Sequence, residues 1–114
     1  MEICHLNGDA AIHQYSDYSV ELVVDMDLTG FIGRSMLKDE LSDTTGVDFA
    51  IEFVERTAPA TIRLSLTNGQ TADLLPKSYH WDLWVRSGSS GAIVKLCKGL
   101  ATVEAGVTPN VNLA

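Results

Sequence analysis

The chain has 114 residues, 46% of them hydrophobic, and a net charge of −7. That length and apolar content suit one domain with one core and exclude a disordered chain. No apolar run approaches the ~20 residues of a membrane-spanning helix, and the eight Lys and Arg read as scattered along the chain, not as the basic patch that nucleic-acid binding uses.

Strand signals dominate from the first third onward. Tyr18, Val20, Leu22 and Val24 alternate with Ser19, Glu21, Val23 and Asp25, the period-two pattern of a half-buried strand. Asp27-Leu28-Thr29-Gly30 reads as a turn, with Gly30 free to take positive φ. A strand resumes over Phe31–Leu37, and the polar stretch from Lys38 to Gly46 reads as a loop. Val47, Phe49, Ile51 and Phe53 then alternate with Asp48, Ala50, Glu52 and Val54, which predicts one further strand. Thr57-Ala58-Pro59-Ala60 breaks it. Ile62, Leu64 and Leu66 alternate with Arg63, Ser65 and Thr67 in the cleanest strand pattern of the chain.

Asn68 to Pro76 differs. Thr67 or Asn68 is placed to cap one short helical turn, and Pro76 stops it. The stretch SYHWDLWV follows, with both tryptophans. Its alternation predicts Tyr79, Trp81, Leu83 and Val85 in the core, and His80, Asp82, Trp84 and Arg86 on the opposite face. Ser87-Gly88-Ser89-Ser90-Gly91 is a hairpin loop. A strand over Ala92–Leu96, a bulge at Gly99 and a continuation over Leu100–Glu104 complete the pattern. About seven short strands with one helical turn make an all-β sandwich. The expected organisation is an N-terminal strand or arm over residues 1–17, a sandwich domain over 18–105 and a tail over 106–114.

Catalytic constellations are not legible. There is no G-x-S-x-G elbow and no phosphate-cradling glycine loop. His80 and Asp82 lie two apart on one strand face, but a metal centre there lacks further ligands, and Cys4-His5 with His13 falls short of a four-ligand zinc site. The expectation is therefore no enzyme, no cofactor and no metal. Outward Trp84 is the residue to meet a partner, flanked by His80, Asp82 and Arg86, because interfaces favour tryptophan. A sugar is the alternative ligand for Trp84. MEICHLNGDA shows no basic segment followed by an apolar one, so no leader is expected and synthesis in a cytoplasm is. In that compartment Cys4 and Cys97 default to free thiols, and they pair only if the first and last strands are neighbours.

The order of short motifs carries a resemblance. Asp27–Phe31 (DLTGF), Thr61–Thr67 (TIRLSLT), Gln70–Leu74 (QTADL), Tyr79–Leu83 (YHWDL), Lys98-Gly99 and Val107-Thr108 follow one another. Together, over about residues 18–108, they resemble small immunoglobulin-like structural proteins of tailed bacteriophages, similar to the N-terminal domain of phage baseplate upper proteins. The resemblance implies an immunoglobulin-like β-sandwich that is assembled in the host cytoplasm, works in the virion, and docks other virion proteins of the tail, baseplate, fibre or capsid in a symmetric multi-copy assembly. It implies neither nucleic-acid nor membrane partners. Baseplate upper proteins continue into a long C-terminal region where this chain stops at Ala114, so a single-domain adaptor is expected, with a capsid decoration protein of the same fold as the alternative.

Overall fold

A computed structural model describes residues 4–7, 11–39 and 46–105. Two sheets face each other. One has the order β1 (Cys4–Asn7), β3 (Tyr18–Val24), β7 (Ala60–Leu66), β6 (Ala50–Glu55). The other has the order β2 (Ile12–His13), β9 (Ile93–Glu104), β8 (Ser78–Ser87), β4 (Phe31–Lys38), β5 (Val47–Asp48). One short helix, α1 (Asn68–Ala72), connects β7 to β8. With β1, β3, β7 and β6 read as strands A, B, E and D, and β2, β9, β8, β4 and β5 as A′, G, F, C and C′, the sheets are A-B-E-D and A′-G-F-C-C′. This is the immunoglobulin-like strand order.

The alternation seen in the sequence builds the core. Val20, Leu22 and Val24 of β3 and Ala60, Ile62, Leu64 and Leu66 of β7 turn inward, and all are buried. Leu37 of β4, Leu83 and Val85 of β8, and Leu96, Ala101 and Val103 of β9 meet them from the other sheet. Each strand thus removes one face from water, at roughly 25 cal/mol per Å² of apolar area. Leu28 and Leu74 plug the open ends of the sandwich from its loops.

The local caps follow the residue types. Thr67 is the N-cap of α1: its hydroxyl accepts from the Gln70 amide, and the Gln70 side chain accepts from the Thr67 amide in return. Gly30 takes φ +80 in the turn before β4, where a side chain would be strained. At the start of β8 the Tyr79 hydroxyl accepts from the Leu75 amide at 2.9 Å and donates to the Leu75 carbonyl at 3.0 Å. This tyrosine at the corner between strands E and F is a hallmark of immunoglobulin-like sandwiches. It nails the α1 connection to the core.

Four expectations need correction. The single strand expected over Val47–Val54 is split. β5 pairs with β4 in one sheet, and β6 pairs with β7 in the other. Phe49, buried between them, is the crossing point, and its amide bonds the Ser35 carbonyl at 3.0 Å. Uninterrupted alternation could not show the change of sheet. The bulge in β9 lies not at Gly99 but at Leu96, where the register slips between Leu83 and Trp84. Leu96 and Cys97 are consequently both buried. Trp81 is half-buried against the edge of the core instead of filling its centre, because its indole leans over Gly99. Finally, Cys97 is not a free thiol but disulfide-bonded; the compartment in which a chain is made does not determine which strands meet. The side chains of Cys4 and His5 and residues 106–114 lie outside the described residues.

Tyr79→Phe should cost about 1–2 kcal/mol, because it strips both Leu75 backbone groups of their partner. Urea unfolding should show this as a lower midpoint with unchanged slope, and a midpoint equal to wild type would exclude the corner as a structural tie. A second prediction concerns acid. Hydrogen bonds from the Thr29 hydroxyl and amide hold the Asp27 carboxyl below its ordinary value of 3.8. Those from the Thr57 hydroxyl and amide hold Glu55 below 4.5. A carboxyl depressed on folding stabilises the fold fully above its unfolded value and loses that contribution as pH falls through the folded one. D27N/E55Q should therefore flatten the fall of melting temperature below about pH 4.5. Parallel melting curves for variant and wild type from pH 5 to 3 would exclude it.

Candidate docking face

The five-stranded sheet turns one face away from the core, and three of its strands lay out a grid there. Pairing sets the rows. Ile32 of β4, Arg86 of β8 and Ile93 of β9 form the first, and Arg34, Trp84 and Lys95 the second. Met36, Asp82 and Lys98 form the third, and Lys38, His80 and Leu100 the fourth. The structure thus keeps the four expected residues, His80, Asp82, Trp84 and Arg86, on one outward strand face. It adds neighbours from both sides that the sequence reading did not gather.

The added neighbours change the chemistry. Five of the eight Lys and Arg lie on this grid: Arg34, Lys38, Arg86, Lys95 and Lys98. They are not scattered in space. The alternation of Ile32, Arg34, Met36 and Lys38 against Phe31, Gly33, Ser35 and Leu37 was the signal that could have placed two of them on one face. The shared face of β4 and β9 needed the strand order. The other three cations are engaged elsewhere. Arg63 bonds Glu21 at 2.8 Å and Glu52 at 2.9 Å on the outer face of the four-stranded sheet, and the bond to Glu21 and the charge of Glu52 hold its pKa above the ordinary value. Lys77 pairs with Asp39 at 2.6 Å. Arg56 donates to the Leu28 and Phe31 carbonyls and lies 4.2 Å over the Phe53 ring.

Trp84 stands in the second row, 39% exposed, with the Lys95 ammonium 4.9 Å over its ring. Such a contact holds an exposed indole in one orientation at about 0.5–1 kcal/mol. Beside it Arg34 reaches Asp48 at 3.4 Å, a loose and exposed pair worth little. Behind the grid, buried Ser35 donates to the Asp82 carbonyl at 2.6 Å and fastens β4 to β8.

Two shallow depressions run across the grid. One, about 470 Å³, is bordered by Met36, Lys38, His80, Trp81, Lys98, Gly99 and Leu100. A Cβ at Gly99 would stand 3.1 Å from the Trp81 indole nitrogen, so glycine here leaves room for the ring. The second, about 340 Å³, lies between Arg34, Met36, Lys38, Asp82 and Trp84. His13, the other histidine considered for a metal, pairs with Glu104 at 3.2 Å on the far edge of the sheet. Among the described residues no three His, Cys, Asp or Glu side chains gather closely enough to hold a metal ion. What the face offers is cationic hydrogen-bond donors around exposed apolar side chains, the equipment of a binding surface.

No family model matches the chain, and no curated protein matches it significantly. Among solved structures the chain is similar to the crystal structure of the Lin-41 filamin domain. The TM-score is 0.48 and the identity 10%, over 92% of this chain and 95% of that one. At that score the likeness carries no functional argument. The immunoglobulin-like assignment stands on the strand order of the two sheets and the Tyr79 corner.

Proposed function

We propose that the chain is a non-catalytic docking module of a tailed-phage particle, an adaptor in the tail, baseplate or fibre attachment that binds through the outer face of its five-stranded sheet. One observation carries the docking role: five of eight cations, Trp84, Ile32, Ile93 and Leu100 share that face on a chain of net charge −7. Exposed large apolar side chains grouped together mark interaction sites. The particle setting rests on the motif order from DLTGF to YHWDL. A disulfide at Cys97 is consistent with working life on the outside of a released particle, where thiols are not kept reduced.

A carbohydrate module is the second reading, favoured by the exposure of Trp84. Against it, the Lys95 ammonium sits over the indole where a sugar ring would stack.

Quantitative mass spectrometry of purified virions tests the setting. A copy number that is a small multiple of three or six is expected; hundreds of copies would mean capsid decoration, and absence would overturn the particle role. Trp84→Ala should abolish incorporation while lowering stability by less than about 1 kcal/mol, the range of a surface substitution plus a lost cation–π contact. Binding of a neutral glycan by the isolated chain, lost in the same variant, would favour the carbohydrate reading instead.

A further inference from the structure

The docking face differs in charge from the rest of the molecule. The grid and its β5 edge hold five cations against two carboxylates, Asp48 and Asp82, a balance of +3. The other described residues hold three cations against nine carboxylates, a balance of −6. Lys38, Arg86 and Lys98 make no ion pair among the described residues. The four apolar members, Ile32, Trp84, Ile93 and Leu100, are 54%, 39%, 64% and 63% exposed. They share the first, second and fourth rows with Arg86, Arg34, Lys95 and Lys38.

We propose, resting on the docking reading above, that the occupant of this face is a protein surface bearing Asp and Glu side chains around an apolar patch. Lys38 and Lys98, with Lys95 across the second row, receive the carboxylates. Trp84 and Leu100 take the apolar contact. Charge complementarity argues for an acidic partner, because a basic or neutral one would leave these cations desolvated without compensation.

The interleaved aliphatic residues argue for protein over polyanion. A phosphate or sulfate backbone has no use for Ile32, Ile93 and Leu100, whereas Trp, Met and Arg are residues that protein interfaces enrich. Asp82 stands in the middle of the grid, beside Met36 and Lys98. It would oppose a continuous chain of phosphates and is tolerated by a partner whose carboxylates lie at the rim. The −6 balance of the other described residues also repels a long polyanion that extends past the face. A compact protein patch meets only the face, and charges beyond the ~8–10 Å Debye length are screened.

Size sets the strength. Three strands about 4.8 Å apart and seven residues at about 3.3 Å rise give a grid of roughly 10 by 20 Å. That backbone footprint is compact for a standard interface, in which each partner buries ~800 Å² of accessible surface. A single contact is therefore weak, and stable attachment needs several copies held in one assembly.

The whole chain tests this. Three probes are titrated while tryptophan fluorescence is followed: a synthetic 21-residue peptide of Glu-Glu-Leu repeats, heparin, and oligo-dT of similar length. The peptide is expected to bind, more weakly as salt rises. K38Q/K95Q/K98Q should weaken it at least about tenfold. S19E/T61E/S65E, which shifts net charge equally but on the outer face of the other sheet, should weaken it by less than about threefold; should the triple variant melt early, K98Q alone carries the comparison. Tighter binding of heparin or oligo-dT than of peptide would overturn the proposal, as would silence to all three probes. Incorporation into virions separates this idea from the docking reading. If K38Q/K95Q/K98Q incorporates like wild type while W84A does not, the face docks a partner that is not acidic. If neither variant alters incorporation, the docking reading itself fails.

Discussion

Contact between the inward row of β3 and β7 and the inward rows of β8 and β9 is what the rest of the molecule depends on. Val20, Leu22, Val24, Ile62, Leu64 and Leu66 meet Leu83, Val85, Leu96 and Val103 with almost no exposed area. Because side chains alternate along a strand, burying one face commits the other to water. The outward grid of Arg34, Trp84, Lys95, Lys38, His80 and their neighbours is thus a consequence of the core. A one-residue slip in β8 would bury His80, Asp82, Trp84 and Arg86 and expose Leu83 and Val85, at a cost no marginally stable domain could meet.

The two ends of the sandwich are closed by different devices. At one end Tyr79 ties the α1 connection to the start of β8, while Thr71 donates to the Ser16 carbonyl at 2.9 Å and Asp17 accepts from the Asn68 amide at 2.8 Å. At the other, Leu28 is buried beneath Arg56, which bonds its carbonyl. These ties use local polar groups to satisfy loop backbone that the sheets cannot. Among the described residues no loop lies over the middle of the five-stranded sheet, where Ile32, Trp84, Ile93 and Leu100 stay exposed. The four-stranded sheet is different outside. Arg63 there is neutralised by Glu21 and Glu52, so among the described residues that face presents no unmatched cation.

An immunoglobulin-like scaffold does not specify an activity; function rests on what its faces carry. Here the distribution of charge, not its total, is informative. A net charge of −7 argued against polyanionic partners from composition alone. The structure keeps that argument for the molecule as a whole and adds a locally cationic face, two facts that a sum over residues merges. Trp84 gains meaning in the same way. Alone it is one exposed aromatic; between Arg34 and Lys95, in a row set by strand pairing, it is the centre of a mixed apolar and cationic patch.

The strands over Tyr18–Val24, Phe31–Lys38, Ala60–Leu66 and Ser78–Ser87 were legible in the chain, as were a helical turn capped at Thr67 or Asn68, which the structure resolves to Thr67, and the turn at Gly30. So was the outward side of β8, and with it Trp84, His80, Asp82 and Arg86. All of these follow from local rules: a period of two, a capping hydroxyl, a residue without a Cβ. The change of sheet at Phe49, the bulge at Leu96, the bonded state of Cys97 and the partial exposure of Trp81 were not legible. Each depends on which strand lies beside which. The assembly of Arg34 and Lys38 with Lys95 and Lys98, about 60 residues apart in sequence, belongs to the same class. Alternation tells a side chain which way to face, because that is settled by its own backbone. Only the packing of two complete sheets settles its neighbours, because register and strand order minimise the exposed apolar area of the whole core and not of any one segment.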